Sequence, residues 1–256
     1  MKFSLCKCLI LVLFLCALTW QLGCGAARNK VPDQGQQPTE KDTSSNDDND
    51  GSLGSNSQQV DPVEQPQTAA VPKGRSLFDG KSLDGWETIE FGGEGDIEIV
   101  DGEIKMYKGD PLTGICVTED VELPTANYEF SLEAVKHSGH DFFCAVTFPV
   151  NDTFCTMVAG GWGGNLVGLS NLDGQDASAN QTKQMRKFIK GQWYAIRIQV
   201  LPDRITCWID DEKLIDESIE GVEVSIRGDV ITTTPLGITN FETSSSFRNI
   251  RIRKLD

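Results

Sequence analysis

The chain has 256 residues, with 38 acidic and 23 basic side chains and a formal net charge of −15. A chain with this acidic excess and no basic cluster does not suit nucleic-acid phosphates, so we expect no nucleic-acid partner. After the first 72 residues, enough chain remains for one domain with a substantial core.

The first 23 residues predict a signal peptide. Lys2 and Lys7 supply positive charge, and an almost unbroken apolar run follows at residues 9–20. This run is too short to span a bilayer comfortably, which takes about 20 apolar residues, and no stop-transfer pattern follows it. We therefore expect an exported protein rather than one with a retained transmembrane helix.

The cleavage region predicts a lipid anchor at Cys24. Residues 21–24 (QLGC) resemble a lipobox, although Gln21 stands where an aliphatic residue is usual. The alternative is ordinary cleavage near residues 23–27, with Cys24 incidental; we favour lipidation. This predicts a domain in the cell envelope, outside the cytoplasm, whose only contact with a membrane is an N-terminal lipid.

Residues 24–72 predict a disordered linker. They are rich in Asn, Asp, Gln, Ser, Pro and Gly and carry too few aromatic or branched apolar side chains to offset the entropy of ordering. Residues 46–51 (NDDNDG) imitate the start of a calcium loop, but Ser57 stands where the closing Glu is needed. We therefore expect a solvated acidic run.

Residues 73–256 predict an all-β domain, because apolar and polar side chains alternate with period two. Ile97 and Ile99 alternate with Glu98, and the same pattern recurs at residues 128–134, 194–200, 205–209 and 250–253. The segment nearest to a helix, residues 180–190, is short and polar. We expect a sandwich of two antiparallel sheets, each solvated on one face. The side chains expected in its core include Trp86, Tyr128, Phe130, Tyr194, Ile196, Ile198 and Ile250.

Four cysteines remain beyond the leader and the anchor. Cys116, Cys144, Cys155 and Cys207 have no C-x-x-C spacing, which argues against a zinc or thioredoxin-like site. In an exported protein they could form disulfides, with three possible connectivities. Each lies in an apolar strand context, so free buried thiols are the other possibility.

The pentapeptide at residues 160–164 (GGWGG) is the most informative local feature. Glycines on both sides leave the Trp162 indole uncovered, which would let a planar ligand such as a sugar stack on it; otherwise the glycines form bulges and the indole is core. The loop that follows offers amide and carboxylate groups, which bind sugar hydroxyls and also make turns. The candidate ligand-binding residues are Gly161, Trp162, Gly163, Asn165, Asp173 and Asp176.

Both histidines of the chain are close to one carboxylate. His137 and His140 flank a Ser-Gly pair, and Asp141 follows at the end of a predicted strand. Together they could supply a general base or two metal ligands, and we take these three residues as the catalytic candidates. A surface turn is the other reading. No motif in the sequence names a cofactor or a metal site.

Three segments together resemble the 3-keto-disaccharide hydrolase domain family, also described as 3-keto-glucoside lyase/hydratase domains. They are residues 77–86 (LFDGKSLDGW), 191–194 (GQWY) with the strands after it, and 247–255 (FRNIRIRKL). The resemblance implies a concanavalin A-like jelly roll with a sugar site on the concave face of one sheet. It also implies cleavage of 3-keto-glycosides, in which a base removes the acidified C2 proton and the aglycone leaves.

The sequence departs from this family at polar positions. A family His position holds Phe241, and an approximate alignment places Cys155 and Met157 at two further polar positions. A structural envelope lipoprotein is one possibility. Two others follow from the resemblance: a carbohydrate-active enzyme, or a lectin-like binding module that retains the cleft without the chemistry. Either function requires a carbohydrate or glycoside ligand.

Overall fold

The computed structural model describes residues 74–256. The expected signal peptide, Cys24 and the linker lie outside the described residues. Within the described part, no helix is long and apolar enough to cross a bilayer. The strands are β1 (Arg75–Ser76), β2 (Trp86–Thr88), β3 (Ile97–Val100), β4 (Glu103–Met106), β5 (Leu112–Val117), β6 (Tyr128–Gly139), β7 (Cys144–Val150), β8 (Thr153–Gly160), β9 (Leu166–Ser170), β10 (Gln184–Met185), β11 (Trp193–Leu201), β12 (Arg204–Ile209), β13 (Glu212–Ser218), β14 (Gly237–Phe241) and β15 (Thr243–Lys254). The two helical elements are the short turn α1 (Gly161–Gly164) and a 3₁₀ helix (Gly228–Thr233).

The strands form two antiparallel sheets. Sheet I has eight strands in the order β13-β12-β11-β6-β15-β4-β3, with β1 also paired to β15. Sheet II has seven strands in the order β10-β9-β8-β7-β14-β5-β2. This arrangement confirms the predicted all-β sandwich of jelly-roll type.

The core lies between the sheets and follows the predicted alternation. On β6, Phe130 is fully buried and lies opposite Ile198 of β11 and Ile252 of β15. Each strand sends alternate side chains inward, so the inner faces of both sheets together form the core. All the side chains expected in the core are buried, namely Trp86, Tyr128, Phe130, Tyr194, Ile196, Ile198 and Ile250.

The outer face of sheet I is less open to solvent than the alternation predicts. Glu129 exposes only 7% of its side chain, because it accepts hydrogen bonds from Arg197 (3.1 Å) and Arg253 (3.0 Å). The Arg197 guanidinium also lies 3.8 Å from the ring centroid of Trp208. Long basic side chains therefore cover the central strand, a packing that the pattern of one strand cannot reveal.

The four cysteines of the domain are free and buried. Burial raises the pKa of the Cys155 thiol to about 12. Burial, with a hydrogen bond to Glu87, raises the pKa of Cys116 to about 12 as well. The structure therefore contains buried thiols rather than disulfides at these positions. Because their pKa values are raised, these thiols stay protonated at neutral pH.

Residues 180–190 form no helix in the structure. Asn180 is buried, and its Nδ2 donates to the carbonyls of Leu169 (2.7 Å) and Gln175 (3.0 Å). Further along, Phe188 packs edge-on against Tyr194, with ring centroids 5.1 Å apart. These contacts to other strands hold the segment in an irregular path, with only the two-residue strand β10 inside it.

Candidate functional site

The outer face of sheet II carries the candidate site. Along β8, Cys155 and Met157 face the core, whereas Thr156 and Val158 face outward. The expectation that Cys155 and Met157 occupy polar site positions is therefore wrong, because strand side chains alternate between faces and these two lie on the inner one. The residues of β8 that can meet a ligand are Thr156 and Val158.

A cleft of about 190 Å³ lies over this outer face. Small side chains, such as Ala145 of β7, form its floor, and Arg227 with the first turn of the 3₁₀ helix forms one wall. The residues that line the cleft are Leu112, Asp141, Phe142, Ala145, Thr156, Val158, Trp162, Ser170, Arg227, Asp229, Val230 and Phe241.

Strand register gives the cleft two chemically different parts. Thr156 of β8 lies opposite Ser170 of β9, so two hydroxyls sit side by side at one end. Phe241 of β14 lies opposite Leu112 of β5, two and three strands away from β8. The cleft therefore has two hydroxyls over β8 and β9, beyond Val158 of β8, and an apolar region over β14 and β5.

The Trp162 indole is exposed at the edge of this cleft, as one reading of the glycine-rich pentapeptide predicts. Trp162 has φ +47°, in the left-handed region, and 43% of its surface is accessible. Gly160 and Gly164, which begin and end the turn, also have positive φ. Because glycine has no Cβ, this conformation carries no steric cost for them. A Cβ at Gly161 would come within 2.9 Å of a Val158 methyl group. The glycines thus let the chain turn tightly enough to present the indole.

Asp141 holds this turn in place. Its Oδ1 accepts hydrogen bonds from the backbone N–H groups of Phe142 (2.7 Å) and Trp162 (3.1 Å), and its Oδ2 accepts one from Gly163 (3.2 Å). A strained left-handed residue persists only where its surroundings fix it, and here a carboxylate does so through amide donors. Among the predicted catalytic residues, Asp141 alone lines the cleft.

Lys136 supports Asp141 from beneath. Its buried Nζ donates to the Asp141 carbonyl oxygen at 2.9 Å, and the Thr243 hydroxyl donates to the same oxygen at 3.2 Å. Burial, together with the charge of Lys190, lowers the pKa of Lys136. The backbone and the carboxylate of Asp141 are therefore both held, and its side chain cannot easily turn away from Trp162.

The opposite rim carries Arg227 and Asp229, which the sequence analysis missed. The Arg227 guanidinium binds both carboxylate oxygens of Asp229, with bonds of 3.0 to 3.2 Å, and lies 3.5 Å from Asp176 Oδ2. The bond to Asp229 raises the pKa of Arg227. The pKa of Asp176 is lowered mainly by a hydrogen bond from the Ser178 hydroxyl and, to a smaller extent, by the charge of Arg227. A signal was present, because Arg227 is the only basic residue between Lys213 and Arg248.

The remaining predicted residues lie away from the cleft lining. His137 Nε2 shares a hydrogen bond with Ser246 Oγ (2.8 Å), and partial burial and the charge of Lys105 lower its pKa. His140 is exposed just before Asp141 and is not a lining residue. Neither histidine is a lining residue of the cleft, although the His140 carbonyl lies beside Gly164 of the Trp162 turn.

The loop after Trp162 contributes structure rather than lining groups. The Asn165 carbonyl accepts the Arg186 N–H (2.8 Å), and Asp173 Oδ1 accepts the Glu223 N–H (2.9 Å). Neither side chain lines the cleft. Asp176 reaches the site only through Arg227, so the turn interpretation of this loop describes most of its residues.

The residues present do not fit a divalent metal. Among residues 74–256, no group of three or more His, Cys, Asp and Glu side chains is arranged to hold one. In the cleft, the oxygens of Asp141 accept backbone N–H groups and those of Asp229 accept Arg227. A metal would have to displace these donors, so we assign no role in the cleft to a metal.

Several solved structures are similar in part. A carbohydrate-binding module of family CBM66 from Bacillus subtilis has 14% identity and a TM-score of 0.45, covering 66% of this chain and 96% of its own. A protein of Parabacteroides distasonis, whose name suggests a glycosyl hydrolase, has 18% identity and a TM-score of 0.45, covering 70% and 93%. No functional conclusion rests on likenesses of this level.

Sequence comparison identifies the family of the domain. No curated protein matches the chain. The family model described as the 3-keto-alpha-glucoside-1,2-lyase-like domain matches residues 73–253. Its span includes both sheets and every lining residue of the cleft, and it places the domain in a carbohydrate-active or carbohydrate-binding class. The chain therefore belongs to the 3-keto-alpha-glucoside-1,2-lyase-like domain family.

Proposed function

We propose that the domain binds a glycoside in the cleft over sheet II, with the sugar ring against the Trp162 indole. One observation carries this proposal: the indole is exposed at a cleft of about 190 Å³, and Asp141 holds the turn that presents it. An aromatic ring face stacks on the C–H face of a sugar, while hydroxyl and charged groups bind its edges. Thr156, Ser170 and the Arg227–Asp229 pair supply such groups.

The proposal predicts that Trp162→Ala abolishes binding and leaves the melting temperature nearly unchanged. The indole is partly exposed, so its loss removes a ligand contact but little of the core. Titration calorimetry against a glycan panel that includes 3-keto-disaccharides measures the binding, and thermal denaturation measures the stability.

Trp193→Ala serves as the control for this experiment. Trp193 is partly exposed on sheet I, where the Arg248 guanidinium lies 3.9 Å from its ring centroid. It is outside the cleft lining, so its loss should not change sugar affinity. If Trp162→Ala binds as tightly as the unchanged protein, or if it unfolds, the platform assignment fails.

A second candidate function is cleavage of 3-keto-glycosides, and the Asp141 carboxylate in the cleft lining favours it. A base would take the C2 proton next to the ketone, and the electron pair would expel the aglycone. Asp141, which lines the cleft, or the adjacent exposed His140 is the candidate base, whereas His137 bonds Ser246 and has no direct role in this proposal. The amide donors around Asp141 occupy its oxygens, so binding is the better-supported function. If the protein is catalytic, His140→Ala should stop turnover and keep binding.

We also propose that the protein is exported and attached to a membrane by a lipid on Cys24. The charged and apolar leader and the Gly23-Cys24 junction support this. Cys24→Ser should release the protein from the membrane fraction, because the acyl chains on Cys24 are the predicted anchor. Cys16→Ser, in the apolar run of the leader, is the matched control and should stay bound. Equal membrane retention of Cys24→Ser would contradict lipidation.

A further inference from the structure

The apolar region of the cleft is separate from the proposed sugar position. Trp162 follows β8, Phe142 precedes β7, and the Phe241 N–H on β14 donates to the Phe142 carbonyl (3.0 Å). These residues, followed by Leu112 on β5, therefore lie side by side across one end of sheet II. The Phe142 and Phe241 rings are in contact, with centroids 5.6 Å apart.

The polar groups of the cleft lie along a different direction. Thr156 is paired to Thr147 and Ser170, on the strands that lead away from the Trp162 turn toward the Arg227–Asp229 rim. A ring placed between Trp162 and Arg227 would thus have hydrogen-bonding groups below and beside it. Toward Phe241, the lining residue of β7 is Ala145, and Thr239, which lies opposite it on β14, is buried and outside the lining.

The spacing of the two regions fits one ligand. Strands β8 and β14 are separated by β7, so Trp162 and Phe241 lie about two strand spacings apart, roughly 10 Å. This is the span of one sugar ring joined to one aromatic ring. Phe142 and Ala145 lie between them, and the Phe142 ring forms part of the apolar surface that the aromatic ring would cover.

The Phe142 and Phe241 side chains are only partly buried, although the core residues near them are buried. Exposed aromatic rings that face a cleft gain stability from an apolar ligand, because its arrival removes their surface from water. A sugar alone would leave this surface wet. The apolar region therefore favours a ligand whose sugar carries an apolar group.

We propose that the ligand is an amphipathic glycoside, with its sugar between Trp162 and Arg227 and an aromatic aglycone on Phe142, Phe241 and Leu112. The inference rests on the proposed glycoside-binding function and adds the chemical class of the aglycone. It assigns Phe241 to specificity: its ring contributes to affinity only when the ligand carries an apolar group.

Matched methyl and phenyl glycosides test the inference. Titration calorimetry on the purified protein would compare methyl and phenyl α- and β-glucosides, galactosides and 3-keto-glucosides. For at least one pair, the phenyl glycoside should bind about tenfold more tightly or better, because its ring buries apolar surface against Phe241. In Phe241→Ala the phenyl advantage should disappear while affinity for the methyl glycoside stays unchanged. Phe241→Leu should retain part of the advantage, and it covers the case in which the alanine variant does not fold.

Phe154→Ala is the control, because Phe154 is a partly buried residue of β8 outside the cleft lining. It should keep the phenyl advantage. Equal affinities within every methyl and phenyl pair, or equal losses for both in Phe241→Ala, would overturn the aglycone assignment and leave glycoside binding intact. Absence of binding for every pair would overturn both.

Discussion

Replacing Phe130 by alanine is expected to cost about 3–5 kcal/mol of folding free energy and to lower the melting temperature by about 10 °C or more. Phe130 has no accessible surface and lies on β6, between Ile198 and Ile252 on the two neighbouring strands. Its removal leaves a cavity at the centre of sheet I that the surrounding strands cannot close. A loss of this size is a large share of the stability of an ordinary domain.

Thermal and chemical denaturation of the purified protein measure this loss. Val100→Ala is the control, because Val100 is on the edge strand β3 and 42% of its surface is accessible. Its melting temperature should stay close to that of the unchanged protein. A Phe130→Ala protein that melts within a degree or two of the unchanged protein would show that the core does not depend on this ring.

Asp141→Asn is expected to weaken glycoside binding at least tenfold, even though the substitution is nearly isosteric. The carboxylate accepts three backbone N–H bonds, two on Oδ1 and one on Oδ2. An amide offers one acceptor oxygen and turns an NH₂ group toward at least one of these donors. A hydrogen bond to a charged group contributes about 1.5–3 kcal/mol, and its loss frees the strained turn that presents Trp162.

The comparison with Trp162→Ala separates a positioning role from direct contact. Asp141→Asn should lower the melting temperature as well as the affinity, whereas Trp162→Ala should lower the affinity alone. In the double variant, Asp141→Asn should add no further loss of binding, because there is no indole left to position. Calorimetry on the single and double variants measures this coupling.

Asp173→Asn is the matched control for the carboxylate. Asp173 also accepts a backbone N–H, from Glu223 at 2.9 Å, but it is exposed in a turn outside the cleft. Its amide variant should bind as the unchanged protein does. If Asp141→Asn and Asp173→Asn have equal affinities, Asp141 does not position the site.

Much of the site depends on which strands become neighbours. The exposure of Trp162 could be predicted from the glycines beside it, because their lack of side chains affects only residues that are adjacent in the chain. Arg227, Asp229 and Phe142 could not be placed beside it, since nothing in the local pattern tells which loop folds back over β8. The same limit explains the wrong placement of Cys155 and Met157. An alignment without a defined strand register assigned these two core residues to the site.

By itself, the sequence determined the all-β class, the parity of the strands at residues 97–99, 128–134, 194–200, 205–209 and 250–253, and seven core side chains, because period-two alternation is a local property that one face of a sheet imposes on each strand. It also determined the family, through residues 77–86, 191–194 and 247–255. Only the tertiary structure decided that Asp141 holds the Trp162 turn and that Phe241 extends the cleft into an apolar region. These contacts join segments far apart in the chain, and their pairing follows from the packing of two complete sheets.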